Sequence, residues 1–328
     1  MKNPFKNLLF TALAALATSS ISSAQDSDAT RLLKERSAEF QEDVIKVAHN
    51  VYVAVGFGVS PSSMIVGTDG VIIVDTMIDM DSAARALAAF RKITDKPVKG
   101  IIFTHSHGDH ISGASAFIGA EPPQVWARDN FGAEARTFSG AFMTIQNVRG
   151  ARQGGFKLPP EKRINNGVAK AYYPKRGGEV FSGGGSEKVE PTHTFSEPRK
   201  QIEIAGVKID LVAVDGETSD ALYVWLPNQK VLFSGDNFYK SWPNAYAIRG
   251  TPYRDIRSWA QADDAMAKEG AEVLVPGHTR PIIGKAEVKQ ALTDYRDAIR
   301  FVFDKTIDEC ADNMPADVTL TVRAFSLL

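Results

Sequence analysis

A buried strand that runs directly into a cluster of metal-ligand side chains is the feature that most restricts the fold of this chain. The apolar segment 99–103 precedes the motif THSHGDH, which carries three of the six histidines and an aspartate within positions 105–110. In layered α/β folds, functional side chains gather beyond the carboxyl ends of such strands. The motif therefore predicts an α/β fold with a polar site at this strand end.

Strand and helix patterns on both sides of the motif follow the order expected for a sheet sandwich flanked by helices. Alternating or continuous apolar runs predict strands at 51–59, 63–66, 71–75, 99–103, 200–204, 208–214, 221–226, 230–233 and 272–275. Helical spacing predicts helices at 29–47, 81–94 and 253–268. Residues 130–191 are rich in Gly, Pro and Arg without a clear period, and we expect a long irregular insert there.

The amino-terminal residues 1–24 have the layout of a secretory signal peptide, with Lys2 and Lys6 before an apolar run and a small-residue end. An uncleaved helix or membrane anchor is the alternative, although the run is too short to span a bilayer. Cys310 is the only cysteine, so one chain can form neither a disulfide nor a cysteine metal cluster. Export without disulfides predicts a periplasmic or secreted bacterial protein, with no stable membrane insertion after processing.

The charge balance argues against a polyanionic partner. The chain has 38 basic and 39 acidic residues, a formal net charge of -1, and 44% hydrophobic residues. A nearly neutral chain has no bulk attraction for nucleic acid or an anionic membrane surface. We therefore expect a globular protein with a small-molecule substrate and no nucleic-acid partner.

The histidine motif has the spacing to serve two metal ions. In a loop opened by Gly108, His105 and His107 can turn toward one point, while Asp109 and His110 face a second point nearby. The alternative is a histidine-rich loop without a metal. An aspartate between histidines directly after a buried strand favours the metal site, since it combines hard and borderline ligands.

Three later strand ends repeat one arrangement, in which a ligand-type side chain lies beside a glycine. Glu217, Asp236 and His278 each follow a predicted strand in this way. Singly, each has an ordinary structural reading: a turn residue, a helix cap and a loop histidine. If the strands converge on one edge of the sandwich, the three side chains complete a site with the histidine motif.

Five segments in order, TDGVIIVDTM, THSHGDH, DGETSDALYVWLP, LFSGDN and VPGH, resemble the motifs of the metallo-β-lactamase superfamily. The resemblance implies an αββα sandwich, with a catalytic domain at residues 25–300. Most lactamase-like members have a histidine in the third motif, where this chain has Glu217. A glutamate there, nineteen residues before a bridging carboxylate, is similar to the alkylsulfatase branch, in which glutamate is typical at the position of Asp236. The departure weighs against a β-lactam substrate.

The same resemblance implies two zinc ions per chain, bound by four side chains of the histidine motif and three from the later strand ends. One ion would be bound by His105, His107 and Glu217, the other by Asp109, His110 and His278, and Asp236 would bridge them. Asp75 would orient the histidine loop. The ligand types also suit manganese or iron.

An anionic ester needs a further cation, because two divalent ions are nearly neutralised by three carboxylates and a bridging hydroxide. After LFSGDN, the alkylsulfatases carry Asn, Tyr and Arg at the spacings of Asn244, Tyr246 and Arg249, and a guanidinium matches the oxygens of a sulfate. We assign these three residues, with Asp109, to catalysis and sulfate binding. The alternative for Arg249 is an ion pair with a surface acid such as Asp255.

We therefore expect zinc-dependent hydrolysis of alkyl sulfate esters such as dodecyl sulfate to an alcohol and sulfate. The alternatives are a hydrolase of the same fold acting on another ester, a thioester or a lactam, and a metal-binding chain impaired in catalysis. Alkylsulfatases usually continue into a helical dimerisation segment and a sterol-carrier-like domain. We expect the tail 301–328 to be truncated or atypical, without these domains, which puts the homodimer of the family in doubt for this chain.

Overall fold

The computed structural model describes residues 26–134, 141–170, 188–245, 247 and 249–313. The expected signal peptide, Tyr246 and the end of the expected tail lie outside the described residues. The helices with described bounds are α1 (Asp28–Arg36), α2 (Met80–Phe90), α3 (Gly108–Ile111), α4 (Ala141–Gln153), α5 (Ile256–Lys268) and α6 (Lys285–Asp312). Among the described residues, every helix is too short or too polar to cross a membrane.

Thirteen strands of the described part form two sheets. The seven-stranded sheet has its strands in chain order: β1 (Asp43–Ala48), β2 (Val51–Val55), β3 (Ser62–Val66), β4 (Val71–Val74), β5 (Val98–Ile102), β6 (Gln124–Arg128) and β7 (His193–Phe195). The six-stranded sheet has the order β13-β12-β11-β10-β9-β8, from β8 (Arg199–Ile204), β9 (Val207–Ala213), β10 (Leu222–Leu226), β11 (Val231–Gly235), β12 (Val273–Pro276) and β13 (Ile282–Ile283).

The sheets pack face to face, and each carries helices on its outer face. In β4, Ile72 packs in the core between the sheets, whereas Ile73 packs in a second core with Phe90 of α2. In β12, Leu274 packs with Leu292 of α6 on the opposite outer face. Successive side chains of a strand alternate between its two faces, so a strand covered on both sides reads as a continuous apolar run. The expected αββα sandwich is confirmed.

The carboxyl ends of the parallel strands lie at one edge of the sandwich. β4 pairs in parallel with β5, with Val74 opposite Ile102, and β11 pairs in parallel with β12. The amide of Leu222, at the start of β10, donates a hydrogen bond of 2.8 Å to the carbonyl of Thr104, just beyond β5. This bond joins the ends of the two sheets and brings the loops beyond them together.

Two local expectations are wrong. The helix expected at 29–47 ends at Arg36, and residues 43–48 form the strand β1, which pairs with β2. Ile45 and Val47 pack in the core between the sheets and Val44 packs in the second core, which is the alternation of a strand, and pairing with β2 decides the structure. The insert expected to be irregular contains the helix α4. In addition, the strands β6 and β7, which flank the insert, were not predicted, and they extend the first sheet.

Asp263, on the inner face of α5, is fully buried, and neither of its carboxylate oxygens forms a hydrogen bond within the described residues. Burial raises the pKa of this carboxyl well above its usual value, although the positive charge of Arg296 opposes the shift. Folding therefore favours the protonated form of Asp263.

Replacing Asp263 by asparagine is expected to stabilise the protein at neutral pH. A carboxyl whose pKa is higher in the folded state contributes stability at pH values below its unfolded pKa and loses that contribution as the pH rises through its folded pKa. Asparagine has no proton to release, so Asp263→Asn should raise the thermal unfolding midpoint at neutral pH and change it little at about pH 3, below the usual aspartate pKa.

The matched control is Asp304→Asn, at an exposed position of α6, which should leave the unfolding midpoint nearly unchanged at both pH values. A neutral-pH midpoint of Asp263→Asn at or below that of the parent protein would contradict the assignment of a destabilising buried carboxyl.

Candidate metal centre

Seven candidate ligands meet where the carboxyl ends of β5, β9, β11 and β12 come together. The loop after β5 and the short helix α3 carry His105, His107, Asp109 and His110. Glu217, Asp236 and His278 come from the loops after β9, β11 and β12. All seven side chains are less than a quarter exposed, and Asp109, at 24%, is the most exposed.

The carboxylate of Asp75 organises the histidine loop. It accepts hydrogen bonds from the amide of Thr104 at 2.8 Å, from the Thr104 hydroxyl at 2.8 Å and from Nδ1 of His110 at 2.7 Å. The Asp75 backbone has a φ of 56°, in the left-handed region that aspartate tolerates better than most residues. Its placement directly after β4 thus fixes the conformation of the loop after β5.

Three histidines have their Nδ1 atoms engaged away from the site. His110 donates to Asp75, and His278 donates to the carbonyl of Val59 at 2.9 Å. The Thr104 hydroxyl gives its proton to Asp75, so it accepts from Nδ1 of His105 at 3.1 Å. In its neutral form, each ring therefore keeps the lone pair of Nε2 for the site, which is the tautomer that a metal ligand requires.

Asp236 lies at the centre of the cluster. Its carboxylate oxygens lie 3.1 Å from Nε2 of His110, 3.3 Å from Nε2 of His278 and 3.8 Å from Nε2 of His105. Three groups of side chains have ligand atoms within 4.8 Å of one another: His105, His110 and Asp236; Asp109, His110 and His278; and His107, Glu217 and Asp236. The structure thus gathers all seven predicted ligands, with Asp236 shared by two of the groups.

Unpartnered polar atoms show that the cluster suits a cation. Within the described residues, Nε2 of His105, Nε2 of His110 and Oδ1 of Asp236 are buried and form no hydrogen bond. Buried polar atoms are costly without a partner. Imidazole nitrogens and carboxylate oxygens are the donors that divalent transition metals bind, and a bound cation would satisfy all three atoms.

The charges of the cluster also favour a cation. Burial opposes a charge on His278, but the carboxylates of Asp236 and Asp109 raise the pKa of this histidine to about 9. Burial likewise opposes a charge on His110, and Asp236 and Asp75 raise its pKa well above the usual value. Burial, followed by the charges of His110 and His107, lowers the pKa of His105. The carboxylates therefore attract positive charge, and a metal competes with protons for these rings.

A buried arginine that was not assigned from the sequence lies beside Glu217. The side chain of Arg254 is 1% exposed, and its Nη1 lies 2.6 Å from Oε1 of Glu217. Nδ2 of Asn244 donates to the same oxygen at 3.2 Å, and Nη1 of Arg254 also donates to the Asn244 carbonyl. In the sequence, Arg254 is a second arginine five residues after Arg249, but it falls within the predicted helix 253–268, where an arginine is ordinarily a surface residue.

The residues predicted to bind sulfate are only partly brought to the cluster. Asn244 contacts Glu217, as described above. The amide of Arg249 donates to the Gln153 side chain of α4 at 3.1 Å, and among the described residues its guanidinium forms no ion pair. Asp255 does not pair with it and instead caps α5 by accepting from the amide of Arg257. Tyr246 lies outside the described residues.

A two-sheet αββα sandwich with histidine and carboxylate ligands at its strand ends defines the class of protein. The comparison with protein families names it: residues 55–278 match the metallo-beta-lactamase superfamily, and the chain belongs to this family. The superfamily implies a divalent metal, which the candidate ligand groups can hold.

Curated relatives confirm the resemblance to alkylsulfatases. The chain is 32% identical over 252 residues to a linear primary-alkylsulfatase from Pseudomonas sp., covering 74% of this chain and 46% of that protein. It is 27% identical over 276 residues to the alkyl/aryl-sulfatase BDS1 of Saccharomyces cerevisiae, covering 80% of this chain and 41% of that one. The chain thus spans less than half the length of these relatives.

A solved structure shares the fold. The stereoselective inverting sec-alkylsulfatase Pisa1 from Pseudomonas sp. superimposes with a TM-score of 0.71 at 24% identity, over 83% of this chain and 45% of that chain. At this identity, the likeness supports the shared fold.

Replacing Asp75 by asparagine is expected to lower metal affinity about 10- to 100-fold, as is typical when a group that orients a metal ligand is lost. The asparagine amide can donate to Nδ1 of His110, which places the ring proton on Nε2 and removes its lone pair from the site. Asparagine also tolerates the left-handed backbone at this position. Zinc titration of the metal-free protein measures the change.

The control is Asp69→Asn, in the exposed turn before β4, which should bind zinc as the parent protein does. Parental zinc affinity in Asp75→Asn would show that Asp75 does not set the tautomer of His110.

Proposed function

We propose that this chain is a metal-dependent hydrolase of sulfate esters, acting on alkyl sulfates such as dodecyl sulfate with two zinc ions per chain. The observation that carries the proposal is the group formed by His107, Glu217 and Asp236. Glutamate replaces the histidine of lactamase-like members in this group, in a chain that is similar to proteins named alkylsulfatases.

The proposed ligand sets are those implied by the motifs. His105, His107 and Glu217 would hold one ion, Asp109, His110 and His278 would hold the other, and Asp236 would serve both. When bound, the ions supply Lewis acidity toward the ester and acidify water in the site. Asp109 is the most exposed carboxylate of the set and is within 3.7 Å of Nε2 of both His110 and His278, so we assign it to accept a proton from the attacking water.

Asn244 and Arg249 are proposed to bind the sulfate group, together with Tyr246. The Asn244 amide has two N–H donors, and its contact with Glu217 uses one, which leaves the other for a sulfate oxygen. Arg249 lies on the same loop, and its guanidinium pairs with no carboxylate among the described residues. Donors of this type stabilise negative charge on the departing sulfate.

The alkyl chain is proposed to lie along α4. Two hydrogen bonds tie this helix to the loop of Asn244 and Arg249: Arg249 N to the Gln153 side chain at 3.1 Å, and the Gln146 side chain to the carbonyl of Gly250 at 2.6 Å. Ile145 and Val148 on α4 are each 50% exposed. An exposed apolar strip beside a sulfate-binding loop suits an ester with an anionic head and an apolar tail.

Sulfate release from dodecyl sulfate tests the proposal. Purified protein should release sulfate when zinc is present, and Glu217→Ala should abolish release, because the variant loses a ligand of the first ion. Phenyl acetate, a thioester and a β-lactam measured alongside should be turned over far more slowly. Faster turnover of any of these three compounds would identify a hydrolase of another class.

Arg249→Ala is expected to lower kcat/KM for dodecyl sulfate about 100-fold, as is typical when a charge-stabilising donor is removed. The matched control is Arg91→Ala, at the exposed end of α2, which should keep the parental rate. An unchanged rate in Arg249→Ala would remove this residue from the proposed sulfate site.

The proposed export of the chain rests on the layout of residues 1–24 alone, outside the described residues. Detection of the mature protein in a periplasmic fraction would support it.

A further inference from the structure

Arg254 is a buried cation whose partners are two groups of the proposed site. Its side chain is 1% exposed, and the side chain of Glu217, its partner at 2.6 Å, is 4% exposed. Burying a guanidinium is costly unless the charge is paired. Within the described residues, its Nε and Nη2 form no hydrogen bond, so all its described anchoring goes through Nη1.

Glu217 is held at one oxygen. Oε1 accepts from Nη1 of Arg254 at 2.6 Å and from Nδ2 of Asn244 at 3.2 Å. While Oε1 is held by these two donors, a carboxylate oxygen of Glu217 lies within 4.8 Å of the ligand atoms of His107 and Asp236. Arg254 therefore helps to hold Glu217 in one orientation beside this group.

Asn244 is held at three atoms, and two of these contacts involve Arg254 or its partner. Its carbonyl accepts from Nη1 of Arg254, its Nδ2 donates to Glu217, and its amide donates to the hydroxyl of Tyr239 at 2.6 Å. The same guanidinium thus fixes the backbone of the loop that carries the proposed sulfate-binding amide.

Arg254 lies at the start of α5, and this end of the helix is anchored to the loops of the cluster. Arg254 directly precedes Asp255, the residue that caps α5. One turn into the helix, the fully buried Trp259 donates to the carbonyl of Asn237 at 2.7 Å, next to Asp236. The start of α5 therefore contacts the loops of Glu217, Asp236 and Asn244 together.

We infer that Arg254 is a positioning residue that couples the metal ligand Glu217 to the loop of Asn244, so that metal binding and sulfate binding depend on one guanidinium. The second half of this inference rests on the proposed function, whereas the first half concerns metal binding alone. Arg254 acts through Glu217 and Asn244 and is not assigned a contact with substrate.

Arg254→Gln and Arg254→Lys in the full chain test the inference by zinc titration of metal-free protein. In Arg254→Gln, affinity for about one zinc equivalent should fall 10- to 100-fold, as for the loss of other groups that orient ligands, while the second equivalent binds as before. Arg254→Lys keeps a buried positive charge beside Glu217, so its loss of affinity should be smaller. It also keeps the test available if the glutamine variant does not fold.

Arg199→Gln is the matched control, because Arg199 is likewise an arginine in an ion pair, and its partners, Asp210 and Glu269, lie away from the cluster. It should bind both zinc equivalents as the parent protein does. Parental zinc binding in folded Arg254 variants, even with a lower unfolding midpoint, would reduce Arg254 to a structural residue and overturn the inference.

Kinetics with dodecyl sulfate test the coupling to Asn244. With zinc saturating, KM should rise in both Arg254 variants, since the loop of Asn244 loses its anchor, and an unchanged KM would overturn this half. A parent protein that binds zinc but releases no sulfate would refute the proposed function. The loss of one zinc equivalent in Arg254→Gln would still support the role of Arg254 toward Glu217.

Discussion

Three hydrogen bonds to the carboxylate of Asp75 set the geometry on which the candidate site depends. They hold the backbone and hydroxyl of Thr104 and the ring of His110, and thereby bind the end of β4 to the loop after β5. The carbonyl of Thr104 in turn accepts from Leu222 of the second sheet. One buried carboxylate thus aligns the histidine loop and, through Thr104, the edge where the sheets meet.

Close backbone approach on the second sheet completes this arrangement. Gly235 has a φ of 53° and lies against Thr104, and a Cβ added at Gly277 would lie 2.0 Å from the Asp236 carboxylate. Glycine at these two positions lets Asp236 reach the histidines from the far side of the sandwich. The carboxylates collected in this way raise the pKa values of His110 and His278, so metal binding is expected to release protons.

Much of the fold could be predicted because its strands are covered on both faces and therefore read as apolar runs, as in β4 and β12. The glycines and ligand-type residues just past these runs marked the strand ends. β1 was predicted as helix because its residues mix polar and apolar types and its conformation depends on pairing with β2. Arg254 was missed because its significance lies in contacts with Glu217 and Asn244, and the order of these residues along the chain does not show that they meet.

The location of bound metal decides whether the cluster around Asp236 is a two-metal centre. Crystals of the zinc-loaded chain, measured at the zinc absorption edge, should give two anomalous peaks per chain, both beside Asp236. One peak should lie against His105, His107 and Glu217, and the other against Asp109, His110 and His278. A single peak, or peaks away from Asp236, would contradict the account of a two-metal centre built on these side chains.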